Sequence, residues 1–87
     1  MATLKLNNVT VITETAGVVS HDTDIVPSTD ATQDLGSSAK RWNNIYTTDL
    51  HLANDRGNWT VIEEENYLTL RNNKTDKVYK LVMEEIV

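Results

Sequence analysis

Apolar and polar residues alternate with a period of two near both ends of the chain, which predicts β-strands there. In residues 3–12, TLKLNNVTVI, Leu4 and Leu6 share one phase and the two valines take the opposite phase. The phase changes at Asn7 and Asn8, and asparagine tolerates the left-handed backbone of bulges and tight turns. We favour one bent strand for this region, with a small hairpin as the alternative.

The segment from residue 13 to residue 34 predicts extended chain and not helix. It is rich in Thr, Ser and Asp, which form hydrogen bonds with their own backbone and disfavour helix. Pro27 also pushes Val26 into an extended conformation. The apolar residues recur every few positions, in short pairs, which is typical of a chain laid along a groove that a neighbouring molecule provides.

One short helix is predicted near residues 37–45. Ser37 or Ser38 suits the N-cap position, and Gly36 allows a sharp turn before it. Trp42 and Ile45 are three residues apart, so a helix would place them on one face. The β-branched residues that follow limit this helix to about two turns.

The last third of the chain predicts a β-meander that ends in a hairpin. The turn-forming runs NDRG and NNKTD separate segments with strand character. Both faces of the last segment, KVYKLVM, are largely apolar, so this strand needs cover that a neighbouring copy of the chain can supply. We therefore expect a small, mainly β single domain, 1–87, with an N-terminal strand or attachment arm at 1–20, an extended segment plus short helix at 21–50, and the meander at 51–87.

The composition is thin for an independent hydrophobic core. The chain has 87 residues, 39% of them hydrophobic, with no Phe and no Cys. Small domains make up such a deficit with disulfides, a structural metal or partner subunits, and His21 and His51 stand far apart. The sequence therefore predicts that identical copies complete the fold.

Charge and motifs argue against several classes of function. A net charge of −5 with only eight Lys and Arg residues opposes nucleic-acid binding. No signal peptide and no apolar run of membrane-spanning length is visible, so we expect synthesis in a cytoplasm and no membrane partner. No nucleophile–base pair, phosphate loop or metal-ligand motif is present, so we expect no catalytic residues, no cofactor and no enzyme.

Two acidic clusters look like ordinary surface. Glu63, Glu64 and Glu65 would point to alternating faces of a strand and cannot converge on one ion. Asp22 and Asp24 with the preceding His21 lack a complete ligand set, so loop polarity is the preferred interpretation over a weak divalent-cation site.

The two tryptophans each allow two interpretations. Trp42 follows Lys40 and Arg41, a combination that suits either stacking on a sugar or anchoring a subunit interface. We prefer the interface, because Trp and Arg are the usual anchors of such contacts, and we extend it to Trp59. The predicted interface residues are Leu35, Arg41, Trp42, Ile45, Tyr46 and Trp59.

The middle of the chain resembles a module of tail fibres and related surface proteins of tailed bacteriophages. The residues that carry the likeness are an acidic lead, D-x-x-P-x-x-D, then D-L-G-S and R-W-x-x-I-Y at fixed spacing, here Asp24, Pro27, Asp30, Asp34 to Ser37, Arg41, Trp42, Ile45 and Tyr46. The continuation to about residue 83 is similar to the closing segment of the same proteins, especially those of marine phages.

This resemblance implies a non-enzymatic virion component, usually a homotrimer, with extended β segments around a threefold axis. The protein would assemble in the host cytoplasm and reside in the virion, where the arm at 1–20 would attach it to another tail or capsid protein. Alternatives within this frame are a capsid decoration (cement) protein that bridges capsid subunits and a tip that binds host-surface glycans.

Overall fold

The computed structural model describes residues 1–87 and consists of strands, turns and irregular segments, with no helix. The chain divides into two units, Met1–Arg41 and Trp42–Val87. Each unit contains one antiparallel sheet, with the strands in chain order. The strands are β1 (Ala2–Leu6), β2 (Val9–Thr15), β3 (Val18–His21), β4 (Asp49–Ala53), β5 (Asn58–Glu63), β6 (Leu68–Asn72) and β7 (Val78–Lys80). The expected mainly β fold and the C-terminal meander with its final hairpin are confirmed.

The first sheet begins with a hairpin, so the prediction of one bent strand is wrong and the alternative is correct. Asn7 and Asn8 have φ values of 50° and 64°, the left-handed backbone of a two-residue type I′ turn. This turn places Leu6 opposite Val9 and reverses the chain. The change of phase in the sequence therefore marks a reversal and not a bend.

A second two-residue turn joins β2 to β3. Ala16 and Gly17 have φ values of 52° and 81°, and Thr15 pairs with Val18 across the turn. The backbone N–H of Gly17 donates to Oε2 of Glu14 at 2.8 Å. The predicted attachment arm at residues 1–20 is thus a three-stranded meander that extends to His21.

One bulge in β2 aligns the apolar residues of this sheet. Leu4 pairs with Ile12 but Lys5 pairs with Thr10, so Val11 has no partner in the register. Residues directly opposite each other in an antiparallel pair lie on the same face. The extra residue therefore brings Ile12 to the face that already carries Leu6.

No helix forms at residues 37–45, and the prediction of one is wrong. Ser37 does cap a turn, since its Oγ accepts the N–H of Lys40 at 3.0 Å, and Gly36 has the left-handed φ of 86° that the sharp turn requires. However, the Ser37 N–H donates to the Lys40 carbonyl at 2.9 Å. In an α-helix the N–H donor comes later in the chain than the carbonyl acceptor, so this bond has the opposite direction and is not a helical one. A two-turn helix is stable only when its apolar face packs, and Trp42 is 64% exposed.

The second sheet is a regular meander with continuous rows of paired residues. One row joins the middles of all four strands, namely Leu50, Val61, Leu70 and Tyr79. The NDRG run forms the first turn, in which Oδ1 of Asn54 accepts the N–H groups of Arg56 and Gly57 at 2.8 and 3.1 Å. Within each unit, contacts between strands occur only between hydrogen-bonded neighbours, so no strand of a sheet packs across a face of the same sheet.

Candidate interaction surfaces

The second sheet has one apolar face, which we call the meander face. Its members follow from the register, because alternate residues of each strand share a face. They are Leu50, Leu52, Trp59, Val61, Leu68, Leu70 and Tyr79, with Glu63 and Asn72 at the margins. Leu81 extends the same parity beyond β7, where its N–H donates to the carbonyl of Leu68 at 2.9 Å. This is the largest apolar surface that the strand pairing assembles.

The two most buried side chains of this sheet do not lie on its apolar face. The two buried side chains of the chain, Thr60 and Thr69, both lie on the opposite, polar face. On the meander face, by contrast, Leu50 and Tyr79 are 48% and 49% exposed. Sheets normally turn the apolar face inward and the polar face to water. The meander face therefore lacks the cover that its composition calls for.

Hydrogen bonds explain the burial on the polar face. Thr60 Oγ1 accepts Nδ2 of Asn73 at 2.9 Å and shares a hydrogen bond with His51 Nδ1 at 3.1 Å. Asn73 also donates through Nδ2 to Oδ1 of Asn58 at 2.9 Å, and its backbone N–H donates to the carbonyl of Asn58 at 2.8 Å. This network holds the β6–β7 loop against the polar face of β5 and buries Thr60 without any apolar core.

Trp59 holds a defined position at one corner of the meander face. Its ring lies 5.8 Å from the ring of Tyr79, at an interplanar angle of 44°. A side chain at Gly57 would meet the indole Nε1 at 3.3 Å, so glycine at that position allows the ring to lie over the turn. A shallow cavity of about 270 Å³ adjoins the ring and is lined by Leu52, Asn54 and Arg56 among others.

The first sheet also has an apolar face, which we call the arm face. By the register it comprises Leu4, Leu6, Val9, Ile12 and Val19, together with Ala2, Glu14 and His21. Its opposite face carries mostly Thr, Ser and Lys residues. Leu6 and Val9 are 64% and 57% exposed, so this face is open as well.

Five of the six predicted interface residues lie in segments without regular structure. Leu35, Trp42, Ile45 and Tyr46 are 77%, 64%, 69% and 92% exposed, and Arg41 is exposed too. Leu35 lines a shallow cavity of about 420 Å³ together with Ile25, Val26 and Pro27, so it meets one of the apolar pairs of the extended segment. Trp59 is the member that a strand positions.

Sequence reasoning missed most of the meander face. It selected Trp59 for its residue type but omitted Leu50, Leu52, Val61 and Leu70 from the interface. The alternation of apolar and polar residues on both sides of NDRG indicated this face in the sequence. A four-residue turn fixes the register, and the register then places the two leucines of β4 beside Val61 and Trp59.

Neither sheet encloses a hydrophobic core within its own unit. The chain has no buried hydrophobic residue, and its two buried side chains, Thr60 and Thr69, are polar. The strands of each sheet contact only their hydrogen-bonded neighbours, so the apolar face of each sheet is open within its own unit.

Other kinds of site find little support in the arrangement of side chains. No group of three or more His, Cys, Asp or Glu residues is clustered closely enough to hold a metal ion. The structure contains no helix that is long and apolar enough to cross a membrane.

The comparisons with known proteins supply no family. No family model matches the chain, and neither a curated protein nor a solved structure matches it.

Proposed function

We propose that this protein is a non-enzymatic structural component of a tailed-phage virion, a homotrimeric fibre-like or spike-like element of the surface. The observation that carries the proposal is that the chain has no buried hydrophobic residue, although each of its two units forms a sheet with an apolar face. A chain that folds into strands but encloses no core gains its stability from burial between molecules. The number three and the virion location come from the resemblance of the middle segment to phage fibre modules.

Each sheet has a role in this proposal. The arm at residues 1–20 attaches the protein to another virion protein, and the arm face offers apolar area for that contact. The predicted residues Leu35, Arg41, Trp42, Ile45, Tyr46 and Trp59 knit the copies together. The net charge of −5 keeps the assembled surface soluble and away from nucleic acid.

Two measurements test the proposal. Light scattering on the purified full chain measures the molar mass in native buffer, and a mass three times 9.8 kDa is expected. Immunogold labelling of virions then locates the protein. Label along the tail supports the fibre or spike element, whereas label over the head identifies a capsid decoration protein. A stable, folded monomer in dilute buffer contradicts the proposal.

A glycan-binding tip is the second candidate, because the cavity beside Trp59 offers two suitable groups. The face of an indole ring can stack on a sugar, and Arg56 can donate hydrogen bonds to hydroxyl or acidic groups. A glycan array with the purified chain tests this, with Trp59→Ala as the variant expected to lose any binding. Absence of signal across the array refutes it.

A further inference from the structure

We infer that the meander face is the surface along which the copies of this chain meet, each face packed against the same face of its neighbours. This inference rests on the proposed function for the presence of several identical copies. It goes beyond that function because it assigns the contact to one face of one sheet. It also shifts the centre of the interface from Trp42 to the strands that carry Leu50, Val61 and Leu70.

The charge distribution fits a second copy better than a charged partner. The chain carries 13 acidic residues, but only Glu63 shares the parity of the meander face, and it lies at the margin. Identical faces can therefore meet without bringing carboxylates together in the middle. A basic partner, in contrast, would find only the marginal carboxylate of Glu63 to pair with.

The width of the sheet fits three copies around an axis. Strands lie about 4.8 Å apart, so a sheet of four strands is about 14–19 Å wide. If three such sheets form the sides of a triangle, its centre is about 4–6 Å from each sheet. Packed sheets lie about 10 Å apart, so each contributes a layer of side chains about 5 Å deep. The two lengths agree, and three meander faces would therefore fill their interior with neither a channel nor a clash.

The polar faces then point outward. Thr60 and Thr69 are already buried in the single chain, so neither needs a partner. The half-exposed residues Leu50 and Tyr79 become the buried ones.

Single cysteines test this inference, since the natural chain has none. Leu50→Cys and Leu52→Cys place a thiol on the meander face, where the native residues are 48% and 51% exposed in one chain. Val78→Cys is the matched control on the opposite face, where the native residue is 58% exposed. One isolated chain therefore predicts similar reactivity for all three thiols.

The measurement is the rate of reaction with N-ethylmaleimide in native buffer, divided by the rate in urea, alongside the molar mass from light scattering. We expect the two meander-face thiols to react at least about tenfold more slowly than the control, because they react only when the assembly opens. Loss of assembly by Leu50→Cys and Leu52→Cys, with the Val78→Cys control still assembled, also supports the inference.

The outcomes separate the two proposals. An assembled protein in which all three thiols react alike overturns the meander face as the contact and leaves the proposed function standing. An assembled protein with only the Val78→Cys thiol protected does the same. A monomeric wild-type chain overturns both. If one meander-face variant does not fold, the other one decides.

Discussion

Thr60 is the centre of the hydrogen-bond network that holds the β6–β7 loop against the polar face, and its hydroxyl can be removed almost without a change of shape. The hydroxyl oxygen accepts Nδ2 of Asn73 at 2.9 Å and shares a hydrogen bond with His51 at 3.1 Å, and the residue is 5% exposed. Thr60→Val keeps the β-branched side chain that suits a strand. Each lost hydrogen bond costs about 0.5–1.5 kcal/mol. Because Asn73 and His51 can turn towards water, we expect a loss of about 1–2 kcal/mol in the free energy of unfolding.

Thr69→Val is the matched control for this experiment. Thr69 lies on the same face and is 7% exposed, but its hydroxyl contacts Glu64 Oε1 only at 3.5 Å, which is too long to contribute much. Urea unfolding at one fixed protein concentration, followed by tryptophan emission, measures both variants. Equal midpoints for Thr60→Val and Thr69→Val, at equal slopes, would show that the network contributes nothing and would refute the reasoning.

Three further predictions concern a turn, an ion pair and the effect of dilution. Ala16 has a φ of 52°, a conformation that costs an L-residue about 1 kcal/mol. Ala16→Asn should therefore stabilise the first sheet by about 0.5–1 kcal/mol, measured by urea unfolding followed by circular dichroism. A destabilisation contradicts this. Arg71 and Asp76 form an ion pair at 2.7 Å, but the two side chains are 45% and 76% exposed, so Arg71→Gln should change the unfolding free energy by no more than about 0.5 kcal/mol in the same assay. The urea midpoint of the wild-type chain should fall as protein concentration falls, because assembly is linked to folding, and a midpoint independent of concentration argues for a self-sufficient monomer.

The C-terminal meander was predictable because local signals agree there. NDRG and NNKTD are turn formers, and the strands between them have β-branched and aromatic residues at the right spacing. Odd and even positions along each strand alone predicted which side chains share a face. They could not predict the register between strands, which places Leu50, Val61 and Leu70 in one row.

The first sheet was harder to predict because two features alter its phase. A two-residue turn at Asn7–Asn8 and an unpaired residue at Val11 each shift the alternation by one position. The alternation in the sequence places Val11 on the same face as Val9, whereas in the sheet Ile12 lies on that face. A bulge has no reliable composition of its own, so the arm face became visible only through the pairing.

The missing helix shows the limit of capping rules. The sequence correctly identified Ser37 as a cap and Gly36 as the turning residue. A cap stabilises a helix by about 1 kcal/mol, which cannot offset the unfavourable nucleation of two turns without packing. Trp42 and Ile45 remain 64% and 69% exposed, so nothing in the chain supplies that packing.

Both sheets share one design, in which an apolar face is assembled by the register and then left uncovered by the rest of its unit. A contiguous exposed apolar face of this kind typically marks an interaction site, whereas the same leucines and valines scattered over a surface would not. The opposite face of the second sheet differs, because the hydrogen bonds around Asn73 bury Thr60 within the unit itself. Under the proposed function, one apolar face joins identical copies and the other joins a different virion protein, which is what a component built into a larger particle requires.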